Sequence, residues 1–220
     1  MTSCRWREKF PVSEFPVLAL TGAPASFPVQ KADLQLQRGM TWTSQWLDRA
    51  GAWLHTNMGR GVEYLGIHLR NGEDWSSACE HTETPGLTNL FSSAQCLGYS
   101  GELGRLSREL CLPSHQTVLT QLAQRLTDSH IKHVYVASDN DHMIETFQQE
   151  FSAGGVQFYK LNNHLEDGFL LDLVILSQSN HFIGNCVSSF SAFVKRARDV
   201  QGLPSSFWTF SSESVNKIEL

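Results

Sequence analysis

The 220-residue chain is 41% hydrophobic, which suits one or two domains and supplies enough apolar material for a proper core. A formal net charge of −5, with no Lys/Arg-rich run, argues against a nucleic-acid footprint or a polybasic membrane surface, so any bound anion must be held locally. No apolar stretch approaches the ~20 residues of a membrane-spanning helix, and Met1-Thr2-Ser3-Cys4-Arg5-Trp6-Arg7 lacks the apolar segment of a signal peptide.

Between Phe10 and Pro28, Pro11, Pro16, Pro24 and Pro28 surround Val17-Leu18-Ala19-Leu20, which permits one strand in otherwise extended, non-helical chain. From Thr41 to Asn57 the apolar residues Trp42, Trp46, Leu47, Ala50, Trp53 and Leu54 fall at helical spacing. Three tryptophans near one face then read as a core face rather than a ligand platform. Gly59 and Gly61 end this helix. Tyr64-Leu65-Gly66-Ile67-His68-Leu69-Arg70 follows, an apolar run that reads as a buried strand and stops at a guanidinium. In open α/β sheets ligands bind outside the carboxyl ends of the strands, so Arg70 is placed to meet an anion; the alternative is a structural ion pair with Glu73 or Asp74. Gly72 is expected to let the backbone turn away.

Between Asp74 and Cys111 periodicity disappears, and a loop of this length in a compact domain is usually either functional or disordered. Cross-linking would order it. Cys79, Cys96, Cys111 and Cys186 contain no C-x-x-C pair, so zinc-ribbon and thioredoxin readings have no support. Spacing leaves open the three pairings of four cysteines in an oxidising compartment, or buried thiols, with Cys4 left over.

Pro113 is expected in the first turn of a helix whose apolar positions are Val118, Leu119, Leu122 and Leu126. A strand over Lys132–Ser138 is closed by Asp139, a helix runs from Asp141 to Phe151, and Gly154-Gly155 turns into a strand over Val156–Leu161. Asp167–Ser179 reads as a helix that covers Phe169, Leu170, Leu173, Val174 and Leu176, followed by the short buried strand Phe182-Ile183-Gly184. Ser188 or Ser189 then caps a helix with Phe190, Phe193, Val194 and Ala197 facing inward and Lys195, Arg196 and Arg198 facing out. This alternation predicts an α/β fold, a Rossmann-like, doubly wound, mostly parallel sheet. The tail Lys217-Ile218-Glu219-Leu220 approximates the Lys-Asp-Glu-Leu retrieval signal and points to the endoplasmic reticulum lumen.

Two anion-binding elements converge on one edge of that sheet. Arg70 is one; the other is Asn185-Cys186-Val187-Ser188-Ser189-Phe190, where a strand hands over to a helix whose free N–H groups and dipole favour a phosphate. Plain capping would need only one of the two serines. A basic fork and a helix N-terminus together suggest a pyrophosphate. Asp172 is an acid within an apolar helix: either it accepts from the amino and ring N–H groups of guanine, or it is solvated or paired with a Lys or Arg. A capping role explains Asp139. His68 reads as a satisfied core histidine rather than a metal ligand, and the histidines show no ligand spacing. Neither G-x-x-x-x-G-K-[ST], G-x-G-x-x-G nor G-x-S-x-G occurs.

Gly66-Ile67-His68-Leu69-Arg70 with Asp74-Trp75, Tyr135-Val136-Ala137-Ser138-Asp139, and the run from His181 through Asn185-Cys186-Val187-Ser188-Ser189-Phe190 to Arg196 resemble the GDP-fucose protein O-fucosyltransferases, which fucosylate EGF-like repeats. The resemblance extends from about Val17, through Leu18 to Ala25, almost to the end of the chain. It implies the second half of a two-Rossmann-domain, GT-B type glycosyltransferase. Residues 1–60 would be a remnant of the first domain and the interdomain passage, 61–212 the GDP-fucose-binding domain, and 213–220 a tail with the retrieval-like signal. The family's first domain, with its signal peptide, a glycine-containing donor loop and much of the acceptor surface, has no counterpart in this resemblance.

The same resemblance implies inverting transfer of fucose from GDP-fucose to a Ser or Thr hydroxyl of EGF-like domains, including those of Notch-type receptors, with no cofactor or metal. Arg70 would be the essential arginine at the donor diphosphate, with His68 and Leu69 beside it, and Asp172, Ser188, Ser189 and Phe190 would contact the nucleotide sugar. Asp74 and Asp139 would stand behind these residues, Asp74 either placing the acceptor or pairing with Arg70. The implied disulfides are Cys79–Cys111 and Cys96–Cys186, with Cys4 free. The competing expectation is a truncated, non-catalytic module that binds GDP or assists folding.

Overall fold

The computed structural model describes residues 8–17, 36–162 and 167–210. The expected strand around Val17-Leu18-Ala19-Leu20, Cys4 and the Lys217–Leu220 tail lie outside the described residues in whole or in part. Helix α1 (Ser44–Asn57) leads into strand β1 (Tyr64–Leu69), and β1 into helix α2 (Glu73–Glu80) and the short helices α3 (Ala94–Leu97) and α4 (Arg108–Cys111). Then come α5 (His115–Ser129), β2 (His133–Ser138), α6 (Ile144–Phe151), β3 (Gln157–Tyr159), α7 (Gly168–Gln178), β4 (His181–Gly184), α8 (Ser189–Asp199) and β5 (Ser205–Phe207).

The five strands form one sheet in the order β3-β2-β1-β4-β5, and every neighbouring pair is parallel. This is the Rossmann-like arrangement, and its consequence is positional. The chain works outward from β1 in one direction and then returns to β1 to continue in the other, so a crevice opens at the carboxyl ends of β1 and β4. Arg70 is the first residue beyond β1, and Asn185 the first beyond β4.

The sheet is buried on both faces, and strand alternation sorts its side chains. Leu65, Ile67 and Leu69 of β1, with Val134 and Val136 of β2, pack with Val118, Leu122 and Leu126 of α5 and Phe147 of α6. Tyr64, Tyr135, Ala137 and Phe182 point the other way, onto Leu171, Val174 and Ile175 of α7, Val194 of α8 and Ala50 of α1. Trp42, Trp46 and Trp53 lie against this second cluster, so the tryptophan face is a core face. α1, within the segment expected to lead into the domain, is thereby part of the packing of residues 61–212, and Arg49 ties it to α7 through Asp167 at 2.7 Å.

Several local expectations change. Pro113 precedes the helix it was expected to enter, because Ser114 is the cap and its Oγ accepts from the Thr117 N–H at 3.3 Å. The helix expected from Asp141 begins at Ile144, since the Asp141 carboxylate accepts from Met143 N–H in a turn with Met143 at φ +53°. β5 and α2 were not anticipated. Arg198, expected to face out, is 0% exposed: its guanidinium donates to the carbonyls of Leu176, Ser177, Ser179 and Pro204 and to Ser205 Oγ, filling the carbonyl-rich C-terminal end of α7. Burial lowers its pKa to about 10, so it remains a cation at neutral pH.

Beyond the sheet's carboxyl edge, the segment expected to lack periodicity packs as a third cluster around Trp75, Leu97, Leu110, Val187 and Phe207. Two disulfides run through it, Cys79–Cys111 with Cα atoms 5.7 Å apart and Cys96–Cys186 with Cα atoms 5.8 Å apart. The second ties the segment to the turn after β4.

Candidate functional site

A cavity of about 550 Å3 occupies the crevice where the strand order reverses. Its wall brings together His68, Arg70 and Asp74 from the end of β1 and the start of α2, Asp139 from the end of β2, Asp172 from α7, and Ser188, Ser189 and Phe190 from the start of α8. Leu69 is the exception among the residues expected there: strand alternation turns its side chain to the opposite face, into the core against α5 and α6. Trp75, Phe91 and Phe169 also line the cavity. Phe169 was expected to be covered by its helix and is instead 57% exposed at this wall. α7 is apolar on every side, so periodicity could not distinguish its buried faces from the one that opens on the cavity.

Arg70 is held from several directions. Nη2 donates to Asp74 at 2.8 Å, Nη1 pairs with Asp139, and the guanidinium lies 4.5 Å from the centre of the Trp75 ring. The ion pair with Asp74 is therefore formed, and the same guanidinium lines the cavity. Asp139 does more than close β2, since its carboxylate also accepts from the backbone N–H groups of Asn71 (3.0 Å) and Gly72 (3.1 Å). Gly72 is required by crowding rather than by a special turn. With φ at −59°, any residue could adopt its backbone, but a Cβ there would run into the Asp139 carboxylate and lie 2.7 Å from both Arg70 Nη1 and Asp74 Oδ1. The hydrogen bond from Arg70 keeps the Asp74 carboxyl below its ordinary pKa.

The turn into α8 is more selective than its sequence suggests. Asn185 Oδ1 already accepts from the N–H groups of Val187 (3.0 Å) and Ser188 (3.1 Å), and Ser188 Oγ accepts from the Ser191 N–H at 3.4 Å as the cap. Among the described residues, this leaves the amides of Ser189 and Phe190 without protein acceptors at the first turn, with the helix dipole behind them. Gly184 permits this helix to sit close to the sheet, because a Cβ there would lie 2.9 Å from Ser191 Cβ.

His68 is 3% exposed, its ring stacked on Phe190 at 4.6 Å and its Nδ1 2.8 Å from Ser191 Oγ. Burial, reinforced by the neighbouring charge of Arg70, lowers its pKa to about 3, so the imidazole is neutral at physiological pH. Asp172 accepts a hydrogen bond from the Tyr135 hydroxyl at 2.5 Å. Burial pushes the Asp172 carboxyl up to about 6, opposed by the Tyr135 hydrogen bond, while burial first and then the Asp172 charge hold the Tyr135 phenol well above its ordinary range. Tyr135 is therefore the donor, which leaves the rest of the Asp172 carboxylate as an acceptor at the cavity wall. No group of His, Cys, Asp and Glu among the described residues could hold a metal ion, and no helix among them is long and apolar enough to cross a membrane.

Chemically, the wall offers a guanidinium, two helix-end amides and serine hydroxyls for an anion, with a carboxylate for a group rich in N–H donors. The sequence signal missed Trp75 and Phe91 because both sit in the aperiodic segment that the third cluster and its disulfides fold back onto the crevice.

Residues 3–201 match the family model described as GDP-fucose protein O-fucosyltransferase. The curated GDP-fucose protein O-fucosyltransferase 1 of Caenorhabditis elegans is 38% identical over 209 residues, an alignment that covers 93% of this chain and 52% of the relative. The chain is similar in structure to POFUT1 in complex with GDP-fucose, with a TM-score of 0.83 and 36% identity over 94% of this chain and 58% of that one. A structure of POFUT1 in complex with GDP gives the same TM-score and identity over 94% of this chain and 60% of that one. The chain thus spans about half the length of the curated relative it matches. With 199 of its residues inside the family model and a TM-score of 0.83 to POFUT1, the chain belongs to the GDP-fucose protein O-fucosyltransferase family.

Proposed function

We propose that this chain is the donor-binding half of a protein O-fucosyltransferase and that its cavity holds GDP-fucose. The observation that carries this reading is the meeting of Arg70, Asp172 and the first turn of α8 in one crevice at the carboxyl ends of β1 and β4. A nucleoside diphosphate sugar needs these three functions at once: a cation and amides for the diphosphate, and an acceptor for guanine N–H groups. Arg70 is an electrophilic clamp. Cleavage of the fucosyl–phosphate bond moves charge onto the departing GDP, and a guanidinium already oriented by Asp74, Asp139 and Trp75 stabilises that charge without reorganising.

The acceptor in this reading is a Ser or Thr hydroxyl of an EGF-like domain, as on Notch-type receptors, attacking opposite the leaving diphosphate so that the anomeric carbon inverts. No cofactor is assigned, because the guanidinium and helix-end amides supply the positive charge. The two disulfides and the Lys217-Ile218-Glu219-Leu220 tail support residence in the lumen of the endoplasmic reticulum.

Calorimetric titration of GDP into the chain and into Arg70→Ala tests the reading. Loss of a hydrogen-bonded charge from the diphosphate site is expected to weaken GDP by about tenfold or more. Equal binding by the two proteins would remove the role given to Arg70, and transfer of labelled fucose to an isolated EGF-like domain tests the acceptor.

A further inference from the structure

Ser191 is the third residue of α8 and lies behind the cavity wall, not among the residues that line it. It is 0% exposed, and its hydroxyl touches two groups: the Asn185 N–H donates to Oγ at 2.9 Å, and His68 Nδ1 is 2.8 Å away. A serine hydroxyl has one proton to give. If His68 carried its proton on Nδ1, Oγ would accept from both neighbours, and the hydroxyl proton would need a third partner. Among the described residues there is none, since Oγ makes no bond besides those to Asn185 and His68. A sealed hydroxyl proton without an acceptor is costly, so the proton belongs on the line from Oγ to Nδ1.

We propose that Ser191 is a positioning residue: by donating to Nδ1 it holds His68 as the Nε2–H tautomer, so that the imidazole presents a hydrogen-bond donor to an acceptor oxygen of the nucleotide sugar. The proposal rests on the donor-site reading above and deepens it. Nε2 is the ring nitrogen left for the cavity, since it has no protein partner among the described residues and is not among the buried polar atoms sealed away from solvent. The ring plane is set by Phe190 stacked against it, while the Trp208 indole N–H, donating to the His68 backbone carbonyl at 2.9 Å, pins the strand that carries it. In the opposite tautomer a lone pair would face an oxygen lone pair beside Arg70, and the site would lose a donor and gain a repulsion. A low-lying imidazole pKa keeps the group from solving this by taking up a second proton.

The test reads the tautomer in the free protein and affinity separately. Nitrogen-15 imidazole spectra, with the His68 resonances assigned by their loss in His68→Gln, are expected to show Nε2 protonated and Nδ1 bare but hydrogen-bonded. Ser191→Ala is expected to shift Nδ1 and to weaken GDP-fucose about three- to tenfold at neutral pH, as loss of orientation at one hydrogen bond to a charged group does. Ser191→Cys keeps a sulfur to accept from Asn185 N–H and gives only a weak donor to Nδ1, so it should fold if Ser191→Ala does not, and fall between the two. A proton on Nδ1 in the wild-type chain overturns the proposal without any variant. So does unchanged GDP-fucose affinity in the serine variants. Absence of GDP-fucose binding by the wild-type chain overturns the donor-site reading itself, an outcome told apart because the tautomer is read without ligand.

Discussion

Under the donor-site reading, Asp172 should make GDP-fucose binding pH-dependent in a window where the ligand does not titrate. Its carboxyl is pushed up to about 6 by burial, against an ordinary value of 3.8. To accept from guanine N–H groups it must be ionised, so apparent affinity falls as the proton returns. For a single group with a pKa of about 6, the ionised fraction is nearly complete at pH 7.5 and roughly a tenth at pH 5, which weakens binding about tenfold, or ~1.4 kcal/mol. GDP-fucose is the ligand to use, because its diphosphate is esterified at both ends and lacks the second ionisation of GDP near pH 6. His68, at the same wall, has a pKa of about 3 and stays silent across this range. Calorimetric titrations from pH 5 to 7.5 should show the break, with proton release that appears as a buffer-dependent enthalpy. Tyr135→Phe removes the hydrogen bond that opposes the upward shift, so its midpoint should move to higher pH. Asp172→Asn should bind weakly at every pH. A flat wild-type profile, or the same break in Asp172→Asn, would refute the assignment of guanine to Asp172.

Folding stability should respond to acid through the buried histidines. His68 and His181 both have folded pKa values of about 3 against 6.5 in the unfolded chain, so between these limits the unfolded state binds more protons and stability falls as pH falls. Asp172 works the other way between about 6 and 3.8, where the folded state binds the extra proton. One histidine offsets it, leaving these three groups a net loss of about 1.4 kcal/mol per pH unit between roughly pH 6 and 4.5, to which half-buried His142, its pKa also lowered by burial, adds in the same direction. The melting temperature should therefore drop over that window, and His181→Gln should flatten the drop; an unchanged slope would contradict it. Separately, Arg198→Lys replaces a fork that reaches five carbonyls and two hydroxyls with a point charge. The carbonyls left unpaired should cost about 2–4 kcal/mol, lowering the melting temperature by about 5–15 °C in thermal unfolding.

The parallel sheet was legible because its strands are short apolar runs separated by helices with three- and four-residue spacing. β5 escaped notice because Ser205-Ser206-Phe207 is three residues long, follows Pro204, and becomes a strand through pairing with β4. α2 spans two turns, too few to establish a period. Arg198 was misread because charge is a good guide to exposure only when no set of orphaned carbonyls waits inside, and that set is created by where α7 ends. Arg70 and the Ser188 turn could be brought to one edge by topology alone, since both follow parallel strands. The role of Asn185 could not: which of the turn's amides it occupies is decided by a side-chain rotamer. Nor could four cysteines choose among their pairings without the family resemblance, because spacing says nothing about which loop folds back over the crevice.

Arg70 draws its organisation from two separate parts of the fold. Asp139 arrives from β2, Asp74 from the first turn of α2, and the Trp75 ring from the next position on that helix, where its indole N–H is anchored to the Cys111 carbonyl at 3.0 Å. Cys111 is in turn bonded to Cys79, so the disulfide stiffens the platform on which the guanidinium rests. A guanidinium carries five N–H donors in one plane. Two carboxylates can clamp its terminal nitrogens, and an aromatic face can cover it, while donors remain for a diphosphate. A lysine ammonium could satisfy the carboxylates but would keep neither the plane nor the stacking, so the arrangement selects arginine. The two carboxylates also make the cation less attractive to any anion that arrives alone. Under the donor-site reading, the helix-end amides of Ser189 and Phe190 and the acceptor at Asp172 are what tip the balance toward a ligand that carries both a diphosphate and a base. Selectivity on this account comes from requiring both ends of the ligand at once, with Arg70 held too tightly to capture a lone phosphate.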